Sequence, residues 1–337
     1  MSCVAETPKT ARVLVAGASG YAGALAAVLV DRHPFMELAG ITSRSYAGQR
    51  LDQLFPHHRV PLVLEELDVE RHTEGVDAAI VAYPHGAAAQ TVAALRANGL
   101  KVVDLSADFR LRSQAVYEEW YVPHTAPALL DEAVYGLPER YREQLAGADL
   151  VANPGCFPTA AILALAPLAG HLSDAVIDAK TGVSGAGRAA TDKTHFVSVT
   201  ENVTPYGVGR HRHMPEIDQE LAAAGATGFA SVFTPHLLPL DQGELLSCYA
   251  TLREPVDVHG LYEKAYADEP FVELVDRPPG VRDVRGTNLC RLHVHVDART
   301  QKVFVFAAID NLWKGTSSQA VQNLNLMLGY DETEGIL

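Results

Sequence analysis

The sequence is poor in positive charge, in cysteine and in long apolar runs. Its 337 residues carry 27 Lys plus Arg against 41 Asp plus Glu, a net charge of −14 with histidine neutral. With no basic cluster, the counterion release that drives most nucleic-acid affinity has nothing to act through, and anionic membrane surfaces are disfavoured as well. No apolar stretch approaches the ~20 residues a membrane span needs. The opening segment, Met1 to Arg12, lacks the basic run and apolar core of a targeting signal. These absences point to a soluble, untargeted protein whose partners are small molecules or other proteins, with no nucleic acid and no membrane. The four cysteines, Cys3, Cys156, Cys248 and Cys290, lie in unrelated contexts, so their spacing builds neither a disulfide framework nor a zinc knuckle. A reducing, cytoplasmic location follows as the default.

What is present is a chain 48% hydrophobic, long enough for two domains at roughly 100–200 residues each. The first half alternates apolar runs with helix-like segments. Strands are expected at Arg12–Ala16, Glu37–Thr42, Ala78–Ala82 and Lys101–Leu105, and helices at Tyr21–Arg32 and Gly86–Asn98. Strands that read as continuous Val, Ile, Leu and Ala suit a parallel sheet covered on both faces. The expected fold class is therefore α/β, a doubly wound Rossmann-type parallel sheet domain, followed by a second, α+β domain with a mostly antiparallel sheet. That second domain is expected to hold a helix at Thr159–Ala169 and strands at Ala175–Thr181, Phe229–Thr234, Leu245–Leu252, Arg291–Val296 and Val303–Ala308. The domain bounds read as 1–152 plus a returning C-terminal helix, 316–337, and 153–315. Within that last segment Ser317–Leu328 carries the helical spacing. No internal repeat or low-complexity tract is present.

Gly17-Ala18-Ser19-Gly20-Tyr21-Ala22-Gly23 follows the first strand directly and opens the first helix, where backbone amides and the helix N-terminus favour a phosphate. An ordinary tight βα turn would read the same way. The second strand ends in Thr42-Ser43-Arg44, and a hydroxyl beside a guanidinium suits NADPH, whereas a cofactor lacking the 2′-phosphate usually meets an acid there. Asn153-Pro154-Gly155-Cys156 sets a cysteine on a constrained turn at the mouth of an apolar helix. The helix dipole would lower its pKa and make it a nucleophile; the alternative is a buried structural thiol, which is how Cys248 and Cys290 read inside strands. His211-Arg212-His213-Met214-Pro215-Glu216 offers two imidazoles with a carboxylate nearby, either as a proton shuttle, as a solvated basic turn, or as a metal pair short of further ligands. No metal is expected. His293 and His295 alternate with apolar neighbours as a strand's polar face. Arg110, at the end of Asp108-Phe109-Arg110, and Arg188, in the Gly182–Arg188 loop, read equally as anion clamps or as surface salt bridges. Tyr83-Pro84-His85-Gly86, at another strand end, reads as a turn or as part of a site.

Taken together these residues resemble the N-acetyl-gamma-glutamyl-phosphate reductases, relatives of aspartate-semialdehyde dehydrogenase, over nearly the whole chain. The matching segments include Gly17–Gly23, Thr42-Ser43-Arg44, Pro84-His85-Gly86, Leu105–Arg110, Tyr135-Gly136-Leu137-Pro138-Glu139 and Asn153–Cys156. They continue through Gly182–Arg188, His211–Glu216, Phe233-Thr234-Pro235-His236 and Asp310-Asn311-Leu312 with Lys314-Gly315. The resemblance implies NADPH-dependent reduction of N-acetyl-glutamyl 5-phosphate to its semialdehyde, in arginine biosynthesis, through a thioester on Cys156. It implies that His213 with Glu216 is the acid/base pair, with His211 as second choice. Arg110, Ser184, Arg188 and Tyr206 would bind substrate. Gly17, Ser19, Gly20, Tyr21, Ala22, Gly23, Ser43, Arg44, Pro84, His85 and Asn311 would bind NADP. It also implies a homo-oligomer, a dimer or tetramer, with 153–315 as the catalytic and oligomerisation domain. One departure stands out: the family usually carries Arg-Gly and an apolar residue where this chain has Gln242-Gly243-Glu244. That opens the alternative of an aminoadipyl or glutamyl phosphate borne on a carrier protein, although carriers of this kind are acidic and the charge of −14 opposes them. A non-catalytic NADP-binding sensor is the remaining alternative.

Overall fold

The computed structural model describes residues 10–228 and 230–337; Cys3 and the expected strand start at Phe229 lie outside the described residues. The chain divides into two compact units. The first runs up to Phe109 and takes in Thr125–Asn153 and Ala320–Leu337; the second consists of Arg110–His124 and Pro154–Gln319.

In the first unit the strands β1 (Ala11–Ala16), β2 (Met36–Thr42), β3 (Ala78–Val81), β4 (Lys101–Asp104), β5 (Val134–Tyr135) and β6 (Leu150–Ala152) form one sheet in the order β2-β1-β3-β4-β6-β5. Every pairing in it is parallel. Continuous apolar runs produce this arrangement because β3 and β6 are buried at every position and must be covered on both faces. The order reverses at β1, with β2 on one side and β3 on the other. The carboxyl ends of β1 and β3 are thus the switch point where such sheets take ligands. The helix expected from Gly86 begins only at Ala89 and ends at Ala97. Gly86 has φ +80, and Asp108 takes the amides of Gly86 (2.6 Å), Ala88 (3.1 Å) and Ala89 (3.0 Å). Its carboxylate thereby caps the helix from a distant loop and holds the preceding turn out of helical geometry.

The second unit holds β7 (Leu172–Thr181), β8 (Thr204–Pro205), β9 (Val232–Leu237), β10 (Glu244–Leu252), β11 (Val272–Leu274), β12 (Cys290–Asp297) and β13 (Lys302–Ile309), in the order β11-β12-β13-β10-β7-β9-β8. The β7–β9 and β11–β12 pairs are parallel and the others antiparallel, so the sheet is mixed. Across β10 and β13 lies the helix Cys156–Leu165, buried from Phe157 to Leu165. It starts three residues before the expected Thr159, because Pro158 in a first turn gives up only an amide that has no intrahelical partner anyway. Ala166–His171 continues as 3-10 helix.

Two boundaries differ from the sequence expectation. Residues 110–124, expected in the first domain, group with the second unit. Arg112 donates its amide to Gln219 Oε1 (2.8 Å) and its guanidinium to the buried Glu220 (2.8 Å), while Gln219 Nε2 returns to Arg110 O (3.0 Å). These bonds fasten the segment to the helix Met214–Ala223. The C-terminal helix runs Ser318–Leu328, and the first unit resumes at Ala320 rather than 316. Within that unit Asn323 Nδ2 donates to Gly136 O (2.9 Å) and Asn153 Oδ1 (3.0 Å).

Candidate active site

Cys156 is the first residue of its helix and is capped by Gly155 in extended geometry (φ −69, ψ 155). A β-carbon on Gly155 would lie 2.7 Å from His213 Nε2 and 2.9 Å from Arg110 Nη1; one on Gly315 would lie 2.7 Å from the Cys156 β-carbon. The absence of two side chains therefore lets an imidazole, a guanidinium and the thiol crowd one spot. Glu216, 1% exposed, turns Oε1 to the Gly155 amide (2.9 Å) and Oε2 to Arg110 Nη1 (3.4 Å). It thus holds both the cysteine loop and the arginine. His211 accepts the His213 amide at Nδ1 (3.1 Å) and sits in an aromatic nest, 5.5 Å from Tyr206 and 5.2 Å from Phe233 between ring centres. Both histidine rings pack on Phe157, at 5.6 Å for His211 and 5.8 Å for His213, and His213 Nε2 lies at the Gly155 turn.

Electrostatics reverse one expectation. Burial, then the Glu244 carboxylate, push the Cys156 thiol well above its ordinary value, and only the Phe157 amide and Arg110 oppose them. The helix N-terminus does not win: desolvating an anion costs more than a first-turn dipole returns. Glu244 itself is pushed up to about 8 by burial, with Cys156 and Thr181 as its side-chain neighbours and Asp310 adding like charge. Burial pushes the Tyr206 phenol up as well, within reach of Cys156 and Glu244. Burial and the neighbouring Arg212 charge bring His211 down to about 4, so it is neutral at pH 7.

Other residues singled out in the sequence turn inward. Asn311 donates Nδ2 to Ser184 Oγ (3.1 Å) and accepts the Gly243 amide at Oδ1 (2.7 Å), stapling the Gly182–Arg188 loop to the turn before β10. Gln242 Nε2 donates to Asp310 Oδ2 (3.0 Å). Arg188 is half-buried just beyond Gly187, which has φ +86. Cys248 and Cys290 are buried free thiols in strands. No cluster of three or more His, Cys, Asp or Glu side chains able to hold a metal occurs among the described residues.

In the first unit, Gly17 leaves β1 with φ +92, and a β-carbon there would strike Ala82 O at 2.6 Å; one on Gly23 would strike Gly17 O at 2.3 Å. Gly17 and Gly23 make the turn tight and let helix approach strand. Gly20, which caps the helix Tyr21–Asp31 without a side-chain hydrogen bond, faces open space. Ser43 donates to Ser19 Oγ (2.8 Å), and the exposed Arg44 lies over the Tyr83 ring at 5.4 Å. His85 Nδ1 accepts the Ala107 amide (2.9 Å), so this ring supports the loop next to Pro84.

The family model for the semialdehyde dehydrogenase NAD-binding domain matches residues 12–148, and that for the semialdehyde dehydrogenase dimerisation domain matches 156–311. An N-acetyl-gamma-glutamyl-phosphate reductase of Desulforudis audaxviator is 50% identical over 97% of this chain and 98% of its own, and one of Moorella thermoacetica is 48% identical over 95% and 96%. The chain belongs to the N-acetyl-gamma-glutamyl-phosphate reductase family. Among solved structures, aspartate semialdehyde dehydrogenase II from Vibrio cholerae aligns with a TM-score of 0.73 at 19% identity, covering 95% of this chain and 99% of that one. The Candida albicans enzyme, solved with NADP, aligns at 0.69 and 13%, over 95% and 99%; at such identities these two share the fold. Family membership makes the protein an NAD(P)-dependent oxidoreductase.

The glycine loop fits such a cofactor. Gly17 and Gly23 are demanded by backbone packing, whereas Gly20 is demanded by nothing inside the protein, and its missing side chain leaves the helix N-terminus open to a phosphate. No helix among the described residues is long and apolar enough to cross a membrane. The sequence names Gly155 and Gly315 only as parts of their motifs and Thr181 only as a strand end, and it marks Glu244 only as a departure from the family. The available signal for Glu244 was a charged residue opening the apolar run Leu245-Leu246-Ser247-Cys248-Tyr249-Ala250.

Proposed function

We propose that the protein reduces N-acetyl-glutamyl 5-phosphate to N-acetyl-glutamate 5-semialdehyde and phosphate, with NADPH as reductant and Cys156 as covalent nucleophile. The observation that carries this reading is the convergence of His213 Nε2 and Arg110 Nη1 on the Gly155 turn beside the thiol. Cys156 sulfur attacks the acyl carbon, the carbon–oxygen bond to phosphate breaks, and a thioester remains on the enzyme. Arg110, held by Glu216, is placed to bind the departing phosphate. His213 supplies and removes the proton at the acyl oxygen during collapse of the thiohemiacetal. A nicotinamide cofactor, when bound, would supply the hydride that reduces the acyl group. Gly20 and the amides after it would hold the pyrophosphate, and Ser43 with Arg44 the 2′-phosphate, which favours NADP over NAD.

Run in reverse, N-acetyl-glutamate 5-semialdehyde, phosphate and NADP should yield NADPH, with NAD as control. Cys156→Ser should abolish turnover and leave NADPH affinity intact; a variant with near-normal rates would refute the covalent mechanism. Failure of the wild-type protein on the free semialdehyde, with NADPH still bound, would transfer the reading to a carrier-linked acyl phosphate. The second unit also carries exposed Phe196 (79%) and Val197 (78%), an apolar tip suited to cover by another copy. A homo-oligomer is the expected result from light scattering.

A further inference from the structure

Glu244 opens β10, a strand flanked by β7 and β13. It is paired with Thr181 on one side and Ile309 on the other. Side chains two apart share a sheet face, and on this face Glu244, Leu246, Cys248 and Ala250 are 0%, 0%, 1% and 0% exposed. Helix Cys156–Leu165 packs on β10, and the side chain of its first residue, Cys156, is a neighbour of the Glu244 carboxyl. A carboxyl thus occupies a core position against the nucleophile.

Its treatment is unlike that of every other buried carboxylate among the described residues. Asp104 is held by Ser106, Asp108 by three amides, Glu216 by Gly155 and Arg110, Glu220 by Arg112 and Gln219, and Asp310 by Gly286, Leu312 and Gln242. Neither oxygen of Glu244 makes a hydrogen bond of normal geometry. A buried acid whose nearest donors are only the Thr181 hydroxyl and the Cys156 thiol is costly, and one kept against a reactive sulfur has a task there. From this placement, and resting on the reading of Cys156 as nucleophile, we propose that Glu244 takes the thiol proton of Cys156 as the sulfur attacks, a second acid/base beside His213.

The step balances. The sulfur–carbon bond forms, the carbon–oxygen bond to phosphate breaks, phosphate leaves with its bonding pair, and the thiol proton passes to a Glu244 carboxylate oxygen. The groups around the pair are Thr181 on β7, Tyr206 after β8, Asp310 after β13 and, on the Cys156 side, Arg110. Arg110 is a cation on the Cys156 side, with the titratable His213 ring beside it at the Gly155 turn, while burial and the neighbouring carboxyls resist a second negative charge. Cys156 and Glu244 therefore titrate as a pair, each holding its proton more tightly than it would in water.

The test uses Glu244→Gln, which keeps shape and removes the charge. Two readouts are followed: the ultraviolet thiolate absorbance against pH with Cys156→Ser as blank, and the pH dependence of phosphate-dependent NADPH formation. The expected result is that thiolate appears at lower pH than in the wild type, because the repelling carboxylate is gone, while kcat at neutral pH falls ~10- to 100-fold with KM little changed. An unchanged thiol titration, or a kcat within twofold of wild type, overturns the proposal. A merely structural role would lower the rate without moving the titration. Should the Gln variant lose NADPH binding, Glu244→Asp replaces it, with the thiol still titrating late and a smaller loss of rate expected. If wild-type protein fails to turn over the free semialdehyde, the functional reading falls, yet the titration still decides whether Glu244 and Cys156 share a proton.

Discussion

Gly155→Ala separates the fold from the chemistry. The backbone at Gly155 (φ −69, ψ 155) is open to alanine, and a Gly→Ala change at such a position gains ~0.4–1 kcal/mol by restricting the unfolded chain. Loss of glycine at a helix cap gives back a comparable few tenths to ~1 kcal/mol. Stability should therefore change by less than about 1 kcal/mol. The new methyl, however, would sit 2.7 Å from His213 Nε2 and 2.9 Å from Arg110 Nη1, where ordinary contact begins near 3.4 Å. Each group must retreat by about 0.5–0.7 Å. Both contacts are the far ends of side chains, so they can yield without moving backbone, and the whole displacement falls on the groups that position phosphate and proton. Misplacement by ~1 Å costs on the order of 100-fold in rate, so kcat should fall ~10- to 100-fold with the urea midpoint and NADPH affinity nearly unchanged. Wild-type kcat would show that neither side chain acts from this spot. A protein that unfolds would show that the contacts are with backbone after all.

Gly20→Ala and Gly23→Ala should part company. The first fills open space and should weaken NADPH binding with little change in melting temperature, whereas the second meets Gly17 O at 2.3 Å and should cost ~2 kcal/mol or more of stability. Arg44→Asp should reverse cofactor preference, since losing a charge-assisted contact to a 2′-phosphate is worth ~1.5–3 kcal/mol, roughly 10- to 150-fold; an unchanged NADPH to NADH ratio of kcat/KM would remove Arg44 from the cofactor site. Glu244 is raised from 4.5 to about 8, so the folded state holds its proton more tightly and wild-type stability should fall as pH rises through that window. The ceiling is about 5 kcal/mol at 1.36 kcal/mol per unit, and Glu244→Gln should flatten that limb in urea melts at pH 5 and pH 8. His211 is lowered from 6.5 to about 4, which gives the opposite slope: stability should fall as pH drops through that range, and His211→Phe should relieve it.

Periodicity made the parallel sheet legible because β3, β4 and β6 are buried almost throughout and bear no polar alternation to confuse them with amphipathic elements. The short strands β5 and β8, at two residues each, carry too little pattern to stand out. The mixed character of the second sheet was not legible either, since β9 reads alike whether its neighbour β7 runs with it or against it. That residues 110–124 group with the second unit is not visible in the sequence, because the bonds between Arg110 and Arg112 and Gln219 and Glu220 span more than 100 positions and leave no local trace. The lowered cysteine pKa was inferred from a local rule about helix ends. What overrides it is burial of the thiol and, after that, a carboxylate 88 positions away on another element.

Motif matching reads residue identity, and irregular loops use the same polar residues for two purposes. A loop that carries a site has no regular partner for its amides, so nearby side chains must supply one. Asp108 spends its carboxylate on Gly86, Ala88 and Ala89, Asn311 its amide on Ser184 and Gly243, and His85 its ring on Ala107. Asp108 stands in the same short motif as Arg110, and His85 and Asn311 stand in motifs of the same kind, because a loop that presents one group needs others nearby to hold it. Spacing along the chain therefore finds both kinds together and cannot sort them. Hydrogen bonding does: an acid or amide whose donors and acceptors are already met within the loop has little left for a ligand, whereas one buried against only a hydroxyl and a thiol, as Glu244 is, has capacity still to use.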